Sequence, residues 1–223
     1  MELAEEYLPF WKDLTPDQRG LMSRSVSVKH FEKGSVPHRG NDDCTGLLLV
    51  LKGRLRAYTV SDEGKELTLY RLLPRDLCLF SASCIINSLE IDVIVSAEED
   101  TDVLYIPADV YKSLMDKSAA VANYTSQLMA SHFSDVMWIM DQALNKKLDA
   151  RLAALLLEER DLTGSDELHI THEQLGGHLG SVREVITRML KYFQDEGLVK
   201  LGRGSIHILD VPGLEALAGD SMR

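Results

Sequence analysis

The chain has 223 residues, of which 45% are hydrophobic, and a formal net charge of −11. That length holds about two domains with packed cores. The acidity excludes a protein that coats nucleic acid through bulk positive charge, and no apolar run approaches the ~20 residues of a membrane helix.

In chain order, residues 2–22 read as helical with a break at Thr15-Pro16, where proline sits just inside a new turn. From Ser25 to Ile106 short β-type runs alternate with turn signals: Val26–Phe31, Ser35–His38, Leu47–Leu51, Arg54–Val60, Glu66–Leu72, Asp92–Ser96 and Asp102–Ile106. Many short strands at close spacing predict an antiparallel barrel or double-sheet roll. Pro107 to Met115 predicts a short helix, and residues 118–145 a long one without proline or glycine. Val121, Tyr124, Leu128, Phe133, Met137, Met140 and Leu144 are expected to form one apolar seam along it. The last four follow the 4-3-4 rhythm of a coiled coil, which predicts a homodimer through this helix. A further helix, Asp149–Arg160, turns Leu152, Leu155 and Leu156 inward. These elements divide the chain into 1–116 (a sensing roll with leading helices), 117–146 (dimer helix and hinge) and 147–223.

The richest stretch is Ile170–Leu190. Thr171 is a good N-cap and Gln174 completes a capping box; Leu175 and Leu179 form an apolar stripe, and Gly180 suits a left-handed helix end. Ser181 is expected to cap a second helix, whose Val182, Val185, Ile186, Met189 and Leu190 keep helical spacing. Its other face carries Arg183, Glu184, Thr187 and Arg188. Leu198–Leu201 and Ser205–Leu209, joined by Gly202-Arg203-Gly204, read as a β-hairpin with a basic tip. Helix, turn, helix and hairpin make a winged helix-turn-helix, so double-stranded DNA is the expected partner. The fold class is therefore α+β: an N-terminal β-roll, a long helix and a C-terminal winged helix-turn-helix.

Charge supports specific over generic binding. Between Ser181 and Ile206, Arg183, Arg188, Lys191, Lys200 and Arg203 oppose only Glu184, Asp195 and Glu196, a local net of +2 on an acidic chain. An arginine fork matches guanine O6 and N7, and a glutamate accepts from cytosine N4. Arg183 and Arg188 are expected to read guanines, Glu184 a cytosine, and Glu184 can pair with Arg188 one turn later. Thr171, Ser181 and Arg203 are candidates for phosphate contacts.

The order of elements resembles the cyclic-AMP receptor/fumarate-nitrate-reduction (Crp/Fnr) family of bacterial transcription regulators over essentially the whole chain. Arg183-Glu184 with Thr187-Arg188, the run Leu190–Leu198, and Gly34, Gly53 and Pro74-Arg75-Asp76 carry the resemblance; Arg75 departs from the family's glycine. The resemblance implies a cytoplasmic homodimer on a palindromic operator, with RNA polymerase as a further partner. It does not extend to cyclic-nucleotide binding. Asp76 is followed by Leu77-Cys-Leu-Phe-Ser-Ala without the family's Gly-Glu, and Glu90-Ile91-Asp92 stand where an Arg-Ser pair should hold the phosphate. An anion facing two carboxylates without a guanidinium is repelled.

Cys44, Cys78 and Cys84 lack CxxC spacing and histidine partners, which predicts free thiols, no metal site and no iron–sulfur cluster. His30 and His38 stand alone on strands and read as polar face rather than haem ligands. No cofactor is expected. Leu79, Cys84, Ile91 and Trp138 are candidates to line a pocket for an apolar or aromatic effector, with Arg71 or Arg75 for an acid group, while Cys78 and Cys84 are candidate redox sensors. A β-roll enzyme needs a His/Glu metal cluster that the roll does not carry, so no catalytic residue is assigned. A nucleotide-binding module with another output is disfavoured by the missing basic pair.

Overall fold

The computed structural model describes residues 2–40, 46–85 and 92–221. Its contacts divide the chain into two units, Met1–Thr59 with Leu69–Val136, and Val60–Thr68 with Met137–Arg223.

The first unit opens with α1 (Glu2–Tyr7), a 3-10 turn (Trp11–Asp13) and α2 (Pro16–Ser25). Thr15 caps α2 through a capping box with Gln18. The roll follows as β1 (Ser27–Phe31), β2 (His38–Arg39), β3 (Leu47–Lys52), β4 (Leu55–Val60), β5 (Glu66–Leu72), β6 (Leu77–Cys78), β7 (Ile94–Ala97) and β8 (Thr101–Ile106). They form two four-stranded sheets, ordered β1-β8-β3-β6 and β2-β7-β4-β5. The predicted strand at Asp92 starts two residues later, at Ile94.

The apolar run of β3 has a simple cause: both of its faces are covered. Leu48 and Val50 join Leu55, Leu72, Cys78, Val95 and Val103 in one cluster. Leu47 and Leu49 point the other way, into a cluster with Leu8, Trp11, Met22, Leu104, Ile106, Tyr111 and Val121. Alternation along a strand sends neighbours to opposite faces, so a strand buried on both reads as unbroken leucine. Fully burying each such side chain contributes about 1.5–3 kcal/mol.

Next come α3 (Ala108–Lys117) and the long α4 (Ala119–Asn145). The single apolar seam expected along α4 is two faces. Val121, Tyr124 and Leu128 pack into the cluster beneath the N-terminal helices. Phe133, Met137, Met140 and Leu144 lie with Met129 on a separate exposed stripe, with Phe133 67% and Leu144 74% accessible. The five-residue step from Leu128 to Phe133 turns the helix by about 140°, enough to leave one face for another.

The second unit holds α5 (Leu148–Thr163), β9 (Glu167–Leu168), α6 (His172–Leu179), α7 (Arg183–Asp195), β10 (Val199–Leu201), β11 (Ile206–Ile208) and α8 (Val211–Ala218). Leu152, Leu156, Leu175, Ile186, Leu190 and Phe193 are fully buried in its core. The wing has three strands, ordered β10-β11-β9, where a two-stranded hairpin was expected. The added strand is two residues long and lies between α5 and α6, where no element was read from the sequence. No described helix is long and apolar enough to cross a membrane.

Candidate nucleic-acid interface

The interface is built from two short helices and the wing. Thr171 caps α6 as expected: its hydroxyl accepts from the Gln174 N–H, and the Gln174 side chain accepts from the Thr171 N–H at 2.9 Å. Gly180 ends α6 at φ 68°, a left-handed conformation that glycine adopts without steric cost. A second glycine sets the tightness of the turn. A Cβ on Gly176 would stand 2.7 Å from the Ser181 carbonyl oxygen, so only glycine lets the turn fold back onto α6.

That close approach moves the start of the reading helix. The Ser181 N–H closes onto the Gly176 carbonyl at 2.9 Å, and α7 begins two residues later with Val182 at its N-cap and no side-chain cap. Ser181 is therefore not the cap of the second helix. Val182 is 41% exposed rather than part of the inward stripe, because a residue at the N-cap lies outside the helical face that packs.

From this start, Arg183 and Glu184 occupy the first turn of α7 and Arg188 the next; all three are exposed. The expected pair between Glu184 and Arg188 is not formed, and no ion pair among the described residues engages either of them. The opposite face buries Ile186, Leu190 and Phe193. Thr187 is half-buried and already committed. Its hydroxyl donates to the Arg183 carbonyl at 2.8 Å and lies 2.9 Å from Nδ1 of His172. The wing tip turns through Gly202–Ser205, with the Gly202 N–H donating to the Ser205 carbonyl at 2.8 Å, and Arg203 stands exposed on it. An open cleft of about 320 Å³ lies between the start of α6, Arg183 and the wing.

Sequence reasoning passed over His172, the residue that joins the two helices. Its place directly after a capping threonine was the available signal. Burial, and then the nearby Arg183 guanidinium, hold its imidazole below the usual pKa.

The candidate effector residues are less well assembled. Leu79 is buried in the core beneath the N-terminal helices of the first unit, whereas Trp138 belongs to the second unit. Ile91 and the Cys84 side chain lie outside the described residues, as do Cys44 and Glu90. Arg71 is spent on Glu98 at 3.0 Å, and Glu98 also pairs with Arg54 at 2.7 Å. Arg75 is exposed near Glu6. Cys78 is a buried free thiol whose pKa is pushed up by burial, which disfavours the reactive thiolate. Between β5 and α4, Phe80, Tyr70 and His132 stack, with Tyr70 and His132 4.3 Å apart and nearly parallel. His30 is tied to Asp102 at 2.7 Å. No group of three or more His, Cys, Asp or Glu suited to a metal ion occurs among the described residues.

Known proteins share this arrangement. Residues 28–118 match the cyclic nucleotide-binding domain and residues 150–217 the Crp-like helix-turn-helix domain. The transcriptional regulator SdrP of Thermus thermophilus is 31% identical over 177 residues, covering 76% of this chain and 82% of that protein. A cyclic AMP receptor protein of the same organism is 25% identical over 210 residues, covering 94% and 96%. A crystal structure from Eubacterium rectale, assigned to the crp/fnr family of transcriptional regulators, is 56% identical with a TM-score of 0.93, covering 96% of this chain and 99% of that one. The chain therefore belongs to the Crp/Fnr family of DNA-binding transcription regulators.

Proposed function

We propose that the chain acts as a cytoplasmic homodimer on a palindromic operator with half-sites about one helical turn apart, in concert with RNA polymerase. The observation that carries this reading is α7: Arg183, Glu184 and Arg188 stand exposed on one helix with no ion pair among the described residues to occupy them. Arg183 and Arg188 read guanines and Glu184 a cytosine, while Thr171, Ser181 and Arg203 meet the backbone. Thr187 supports the helix through its two hydrogen bonds. The stripe Met129, Phe133, Met137, Met140 and Leu144 supports dimerisation, because an exposed apolar row at coiled-coil spacing seeks a second helix.

The roll answers a small-molecule or redox signal other than cyclic AMP. The sequence around Asp76 lacks the Gly-Glu that cyclic-nucleotide binders carry, and Arg71 is spent on Glu98.

Selection of duplexes from a random pool by the purified protein tests the reading. An enriched palindrome bound by a dimer in sedimentation is expected, with no heat on titration of cyclic AMP. Phe133→Glu is expected to shift the protein to monomer and weaken operator binding at least tenfold. Enrichment of no sequence, or a Phe133→Glu protein that remains dimeric, overturns the corresponding part.

A further inference from the structure

The cleft beside α7 has a chemistry of its own. It is lined by Thr171, His172, Glu173, Arg183, Gly204 and Ser205, among others, and opens to solvent next to the reading helix. Its histidine is held in one tautomer by a chain of two hydrogen bonds. The Arg183 carbonyl can only accept, so the Thr187 hydroxyl, 2.8 Å away, donates to it. The same hydroxyl oxygen must then accept from His172 Nδ1 at 2.9 Å. The neutral imidazole therefore carries its proton on Nδ1 and keeps a bare lone pair on Nε2.

We propose that this cleft seats a DNA backbone phosphate against His172, beside the base-reading Arg183, and that duplex binding takes up one proton onto His172 Nε2. The inference rests on the DNA-binding reading above and names a partner atom for it. A lone pair facing a phosphate oxygen is repulsive, whereas an imidazolium N–H donates a charge-assisted hydrogen bond. The charged groups facing His172 are Arg183 on α7 and Glu173 on its own helix; the wing residues lining the cleft are Gly202, Gly204, Ser205 and Ile206, none of them ionisable. Of the two charged groups, Arg183 is the one that bears on the imidazole charge, so protonating His172 makes the cleft more positive. In the free protein, burial and Arg183 push the proton off. A phosphate placed against Nε2 reverses the sign of the local field and draws the proton back.

The direction of the pH dependence follows. The free imidazole titrates below the usual 6.5 and the phosphate-bound one above it, so between those values binding takes up a proton and affinity falls as pH rises. The limit for one proton is tenfold per pH unit. His172 is thereby a positioning residue for α7, through Thr187, as well as a phosphate ligand.

The test uses the full-length protein and a duplex enriched from a random pool, with affinity read by fluorescence anisotropy from pH 5.5 to 8. Calorimetry in two buffers of different ionisation heat counts protons. The wild type is expected to lose affinity with rising pH, by up to tenfold per unit for each protomer engaged and so up to a hundredfold for the dimer, with proton uptake of up to one per protomer. His172→Gln is expected to flatten the profile, and His172→Arg to hold affinity high and independent of pH. Replacing single phosphates by uncharged methylphosphonates is expected to abolish the wild-type slope at one position in each half-site. A slope that survives in His172→Gln, or wild-type binding without proton uptake, overturns the inference while leaving the DNA-binding reading intact. A protein that binds no duplex at any pH overturns both.

Discussion

Two sites, one in each unit, treat their charged side chains in opposite ways. Around Glu98 in the roll they are spent internally. Glu98 holds two guanidiniums, Arg71 and Arg54, whose side chains are only 6% and 15% accessible. On α7 the same residue types are left without ion-pair partners among the described residues and face water. A charge inside a fold is a structural commitment, because its desolvation must be offset by a partner. A charge held out on a rigid helix is available to something else. The roll and the reading helix should accordingly fail differently when a charge is removed, the first in stability and the second in recognition.

The largest effect is expected from Glu98→Ala. It leaves two mostly buried guanidiniums beside one another without their shared carboxylate, and breaking such a pair from one side costs about 3–5 kcal/mol. Denaturant unfolding followed by tryptophan fluorescence reads this, and the unfolding is expected to lose two-state form as the first unit melts ahead of the second. A Glu98→Ala protein as stable as the wild type would show that the roll's charges are not committed and would remove the contrast.

Arg188→Ala probes the other side. Stability is expected to change by no more than about 0.5 kcal/mol, as for an exposed position without partners. Operator binding is expected to weaken by about 1–3 kcal/mol per half-site and to lose preference at one base pair. Unchanged affinity and preference in a binding assay on all four base variants would return Arg188 to the status of a solvated helix face.

Why the reading unit was more legible than the roll follows from the range of the interactions. The Thr171–Gln174 capping box, the Gly180 helix end and the apolar stripe of α7 act over one to four residues, and a sequence displays such spacings directly. The basic tip of the wing is equally local. Glu98 meets Arg71 and Arg54 across 27 and 44 residues, distances at which sequence carries no pairing signal. Intermediate cases went astray for identifiable reasons. The α4 seam merged two faces because each is locally helical and only tertiary packing tells them apart. Ser181 has the chemistry of a cap, but the backbone approach allowed by Gly176 shifts the helix start past it. Strand β9 is too short to have a period, and the link from His172 to Thr187 spans 15 residues and two helices. Helix α8 was legible but unread: Asp210 caps it, with a proline in its first turn.

One residue in the roll spends conformational energy instead of charge, and it yields the smallest predicted effect. Arg75 has φ 85°, the only positive value at a non-glycine position among the described residues. The turn is fixed on both sides: the Arg75 N–H donates to the Val50 carbonyl at 2.9 Å, and the Asp76 carboxylate accepts from the Leu73 N–H at 2.8 Å. Arginine thus holds a conformation that glycine adopts without steric cost. A side chain in the left-handed region costs about 1–2 kcal/mol. Glycine would relieve this but lose roughly 0.5–1 kcal/mol to the greater freedom of the unfolded chain. The contacts forgone are weak, a 3.8 Å approach to Glu6 between two exposed side chains and a position over the Tyr7 ring. Arg75→Gly is expected to stabilise the first unit by about 0.5–1 kcal/mol, a rise of a few degrees in its melting temperature. DNA affinity at saturating protein stability should not move. A destabilised Arg75→Gly protein would mean that the arginine's contacts outweigh the strain, placing its charge with the committed ones of the roll.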